Sequence, residues 1–141
     1  MDEDSLEKRI CVRFRIPDAE IRYKREKSFF KKPDFIDEPL PMLDMSRGGI
    51  RFFSKEFLKF DSILTVKITF LDDSAPLVLK GTVRWYVMNA DPVYKCQLGV
   101  QFLPYGEKKG QNSSQTLARI IALEQKYMDE TTVPENPPEM F

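Results

Sequence analysis

From Leu64 to Phe102 the chain alternates apolar and polar residues through three long runs. Leu64, Val66, Ile68 and Phe70 interleave with Thr65, Lys67 and Thr69. Leu77, Leu79, Val83, Trp85 and Val87 interleave with Val78, Lys80, Thr82, Arg84 and Tyr86. Tyr94, Cys96, Leu98, Val100 and Phe102 interleave with Lys95, Gln97, Gly99 and Gln101. A period of two puts one face of a strand in a core and the other in water. The breaks at Asp72–Pro76 and Asn89–Pro92 are short and turn-like, so successive strands run antiparallel. Gly81 interrupts the inward row, as expected where a strand bends at a barrel corner. Strands this long in a chain of 141 residues hide their edges most cheaply by closing on themselves.

Weaker signals extend the pattern. Arg9 to Ile16 alternates and is broken by Pro17-Asp18; Ala19–Lys24 and Ile50–Phe53 are short candidate strands. Arg25–Glu38 mixes Phe29, Phe30 and Phe35 with lysines and reads as a loop held to the barrel by its phenylalanines. Asn112 with Gln115 three residues on fits a capping box. The helix after it, to about Met128, has Leu117, Ile120, Ile121, Tyr127 and Met128 on one face to lie against the sheet. The expected organisation is an acidic leader over 1–8, one domain over 9–128, and a disordered acidic, proline-rich tail over 129–141.

The absence of histidine removes the commonest general base and the commonest metal ligand. The two cysteines, Cys11 and Cys96, cannot form a zinc site alone and lack redox spacing; they read as small apolar residues. A non-enzyme without a metal is expected. No apolar run approaches the ~20 residues of a membrane span, and the acidic start does not resemble a signal peptide, which points to the cytoplasm. Net charge is zero, yet Lys8–Lys32 holds ten basic residues against three acidic ones. A basic face on a neutral protein suits a small anionic ligand better than a long polyanion.

Two motifs sharpen this. Arg9 and Arg13 form R-x-x-x-R, and a spacing of four presents both guanidiniums on one side of either a strand or a helix. Asp44, Ser46 and Gly49 form D-x-S-x-x-G, in which Asp44 and Ser46 can bond the turn's own amides and Gly48-Gly49 can supply positive φ. In this order, ahead of strands such as Gly81-Thr82-Val83-Arg84-Trp85 and Leu98-Gly99-Val100-Gln101-Phe102, the chain resembles the PilZ family from Lys8 to about Leu103. The stretch between Arg13 and Asp44 is longer than in typical members. The resemblance implies an all-β fold with a C-terminal helix, built on a six-stranded antiparallel β-barrel, and a non-catalytic receptor for cyclic di-GMP. It makes Arg9 and Arg13 a flexible arginine clamp, with Asp44, Ser46, Gly48 and Gly49 as the turn meeting the ligand's other side. The chemistry is consistent: the ligand carries two phosphates and two guanines, and arginine forks serve both phosphate and the guanine O6/N7 edge. Asp44 offers an acceptor for the guanine N1 and N2 protons. The expected output is a changed surface for an as yet unidentified protein effector, on a monomer or weak homodimer. The alternative is a degenerate barrel that binds protein and no nucleotide. A single-stranded nucleic-acid binder using Phe29-Phe30 and nearby lysines ranks third, because no strand face carries a row of aromatics.

Overall fold

A computed structural model of the chain describes residues 12–26, 34–72 and 74–128. The expected leader, the tail, Arg9, Cys11 and the Phe29-Phe30 region lie outside the described residues. Six strands form: β1 Glu20–Arg25, β2 Leu40–Met45, β3 Gly49–Ser54, β4 Ile63–Thr69, β5 Leu77–Met88 and β6 Cys96–Phe102. They close a barrel in the order β1-β2-β3-β6-β5-β4, every neighbouring pair antiparallel. A helix among the described residues, α1 Ser114–Met128, follows.

The interior follows the period-two pattern. Ile50 and Phe52 of β3 face Val100 and Leu98 of β6 across the register, and all four are fully buried. Leu64, Val66 and Ile68 of β4 line the opposite wall. Cys96 is a buried free thiol whose pKa is pushed up by that burial, consistent with an apolar, unreactive role. Phe35 does pin its loop, with the ammonium groups of Lys24 and Lys67 lying 4.9 and 5.2 Å from its ring centre.

β5 departs from simple alternation. Val83 pairs with Val100, but Trp85 pairs with Gly99, so Arg84 is an extra residue and the register shifts there. A one-residue bulge reverses which side chains face inward. Trp85 and Val87, expected in the core, therefore lie on the outer face. Tyr86 pairs with Leu98 and so takes the inner register, but it lies beyond the core at the barrel's end, exposed, where it meets Phe57 edge-on with ring centres 4.7 Å apart.

Gly81 is required by close approach to β6. A Cβ there would lie 2.5 Å from Val100 Cγ1 and 2.7 Å from the Gln101 carbonyl oxygen. The side chain can turn aside, but the β6 backbone cannot without breaking the ladder. Gly81→Ala is expected to destabilise the barrel by about 1–3 kcal/mol, read as a lower urea midpoint at unchanged slope. An unaltered midpoint would show that the two strands have slack at this point.

The helix cap also differs from the expected one. The Thr116 amide donates to Ser113 Oγ at 3.1 Å, so Ser113 is the N-cap. Asn112 is spent elsewhere. Its Oδ1 accepts the Lys80 amide at 2.8 Å, and its Nδ2 donates to the carbonyls of Lys80 and Leu103, both at 2.9 Å. This side chain supplements the β5 ladder just past the end of β6, where the Lys80 carbonyl also accepts the Leu103 amide at 2.9 Å. α1 seats the fully buried Ile120, with Leu123, Tyr127 and Met128 packed around the core.

Candidate functional site

Asp44 lies at the end of β2 rather than in a turn, opposite Arg51 of β3. The hairpin pairing points both outward, since Met45 and Ile50, the next pair, are fully buried. Asp44 does not bond the turn's amides as expected. Its Oδ1 accepts Arg51 Nε at 2.7 Å, and its Oδ2 accepts Arg51 Nη2. This is a fork-to-carboxylate grip. Arg13 Nη1 lies 3.6 Å from the same Oδ1, so one carboxylate stands between two guanidiniums. All three side chains are largely covered, at 11–13% exposure. Such a trio holds one positive charge in surplus at a place where water screens it weakly.

The turn itself is built by Ser46. Its amide donates to the Gly49 carbonyl at 2.8 Å, and its Oγ accepts the Gly48 amide at 3.1 Å. Ser46 is buried. Positive φ occurs at Asp18, Asp61 and Gly110 and not in this turn, so Gly48 and Gly49 do not serve by left-handed backbone, contrary to the expectation. The Gly48 carbonyl accepts the Phe102 amide at 2.8 Å, and Gly49 pairs with Gln101 as the first residue of β3.

The arm is partly fixed. Phe14 and Met45 exchange both backbone hydrogen bonds, at 2.8 and 2.9 Å, and Phe14 and Ile16 are buried. Residues 13–16 are therefore docked beside β2, and Arg13 is already delivered to Asp44. The extended strand expected over Arg9–Ile16 is reduced, among the described residues, to this bridge. Arg9 lies outside the described residues.

Two further features were missed in the sequence. Arg51 is the partner that orients Asp44, and the signal for it was available: an arginine two residues past Gly49 falls opposite Asp44 once the hairpin closes. The other is the row Asp44–Arg51–Gly99–Trp85, adjacent through register on β2, β3, β6 and β5. With strands about 4.8 Å apart, Arg51 and Trp85 stand roughly 10 Å apart, with a glycine and so no side chain between them. A flat heterocycle can lie on that glycine between a guanidinium and an indole. Only the β5 bulge brings Trp85 to this face.

Among the described residues no group of acidic or cysteine side chains is arranged to hold a metal ion, and no helix is long and apolar enough to cross a membrane. None of the curated proteins matches the chain. Among solved structures, one chain described as MrkH, a novel c-di-GMP dependence transcription regulatory factor, superposes with a TM-score of 0.50 at 15% sequence identity. The match covers 82% of this chain and 50% of that one, so this chain spans half the length of the solved protein. That likeness is one of fold. The model of the PilZ domain family matches residues 7–122, from the arm through most of α1. With that match over most of its length, and its six strands closed as the motifs required, the chain belongs to the PilZ domain family.

Proposed function

We propose that this protein is a non-catalytic receptor for cyclic di-GMP, held by Arg9 and Arg13 on one side and by Asp44, Ser46, Gly48 and Gly49 on the other. The observation that carries the reading is the Arg13–Asp44–Arg51 trio on the outer face of the barrel. It combines cationic forks with an oriented anionic acceptor, and a guanine needs both. A carboxylate has about four acceptor positions, so Asp44 can hold Arg51 and still take the N1 and N2 protons of a base. Arg13 faces the phosphates, Arg9 completes the clamp, and Trp85 with Gly99 offers a surface for stacking. Family membership supports the same ligand. Folding the arm that carries Arg9 over the ligand costs about 1–2 kcal/mol per residue fixed, and the new surface is what a protein effector reads.

A titration of the full chain with cyclic di-GMP, with GMP as the control, tests this. Saturable binding of the dinucleotide with no binding of GMP at the same concentrations is expected. One observation favours a second reading: both oxygens of Asp44 are already engaged by Arg51, as in a self-sufficient structural cluster. If so, the barrel is a protein-interaction module without a nucleotide, and the titration is flat.

A further inference from the structure

Arg47 occupies a variable position inside the Asp44–Gly49 motif, and the ligand chemistry above makes no use of it. Its guanidinium reaches α1, where Glu124 Oε2 accepts Nη2 at 2.8 Å and Nε at 3.2 Å. Glu124 is 4% exposed, and its Oε1 has no hydrogen-bond partner among the described residues. The Arg47 carbonyl accepts the Tyr105 hydroxyl at 2.6 Å, and the next carbonyl, of Gly48, accepts the Phe102 amide. The turn is thus held at its backbone and its side chain by the segment from the end of β6 through α1.

A carboxylate on the buried face of a helix is costly. Ile120, one turn earlier, already seats α1 in the core, and an apolar residue at 124 would extend that seat at lower cost. What the glutamate adds is a grip on one residue of the binding turn. We infer that Glu124 is a positioning residue for that turn, and that through Arg47 it couples docking of α1 to binding of cyclic di-GMP. The inference rests on the receptor reading. A docked helix fixes Arg47 and with it the backbone of Ser46–Gly48, so less ordering remains to be done when the ligand arrives. Coupling of this kind is reciprocal: a ligand that needs the ordered turn stabilises the docked helix by the same factor. Site and helix then form one cooperative unit, and α1 is the element that reports occupancy.

The test uses the full chain, with affinity from calorimetry and docking of α1 from amide hydrogen exchange. Glu124→Gln keeps the shape and removes the charge. It is expected to weaken cyclic di-GMP binding roughly 5- to 50-fold and to speed exchange in α1. In the unaltered protein, saturating ligand is expected to slow exchange in α1 beyond its effect on β4, which lies across the barrel. The charge swap Arg47→Glu with Glu124→Arg is expected to recover part of the lost affinity. Glu124→Gln with unchanged affinity but a loosened helix overturns the coupling and leaves the glutamate as a fastening only. Should that variant not fold, equal slowing of α1 and β4 in the unaltered protein overturns it. Absence of binding by the unaltered protein overturns the receptor reading itself, and the coupling with it.

Discussion

Replacing Arg9 and Arg13 together by alanine is expected to abolish cyclic di-GMP binding, a loss of at least about 100-fold, while the barrel still unfolds cooperatively. The ligand's two phosphates are its only formal charges. Hydrogen bonds between a guanidinium and an anion contribute about 1.5–3 kcal/mol each, and each arginine can supply more than one. Two such residues together account for several factors of ten in affinity. Stability should change less, because Asp44, which Arg13 approaches at 3.6 Å, is held independently by Arg51. Calorimetry for binding and a urea titration for stability separate the two effects. The single variants are informative as well. Arg13 sits on a docked stretch next to Phe14, so its loss removes a prepositioned group, whereas loss of Arg9 removes the part of the clamp nearest the start of the chain. Unchanged affinity of the double variant would reject the clamp.

The second large effect concerns Asp44. Asp44→Ala is expected to cost about 3 kcal/mol of stability, because it leaves two largely covered guanidiniums facing each other without their shared counter-ion. For a domain of this size that corresponds to a fall in Tm on the order of 10 °C. Binding is expected to be lost as well, since the guanine N1 and N2 protons lose their acceptor and the site keeps only cations. A second substitution separates these two causes. Adding Arg51→Met to Asp44→Ala removes one of the stranded charges and puts an apolar side chain in its place, so much of the stability should return. Binding should not return, because the acceptor is still missing. Recovery of both together would mean that Asp44 acts on the ligand only by keeping the fold.

The two residues also show where reading a sequence stops. The barrel was legible because burial in a sheet imposes a period of two, and the runs from Leu64 to Phe102 carry it with few errors. Its closure followed from the cost of open edges. The motif residues stood out as candidates because arginine, aspartate and glycine are distinctive in type and spacing. Their engagement was not. Asp44 reads equally well as a turn residue bonding nearby amides, and only the β2–β3 register puts it opposite Arg51. Trp85 was assigned to the wrong face for a related reason. A bulge is one extra residue with no compositional mark, and it moves everything after it to the other side of the sheet.

The same holds at the C-terminal end. That a helix follows the barrel was legible from its apolar spacing, but the choice of Ser113 over Asn112 as its cap depended on Asn112 being taken up by Lys80 and Leu103. Glu124 was passed over because a helical acid is ordinarily solvated, and its burial is settled by a residue 77 positions away. Local pattern, then, was enough to determine five of the six strands, their antiparallel run, the helix and the residue types of the candidate site; β2 was not among the expected strands. Tertiary structure decided which charges meet, which face the tryptophan takes and which turn the helix holds. Periodicity is a property of neighbours along the chain, whereas ion pairing and register are properties of segments that become neighbours only when the barrel closes.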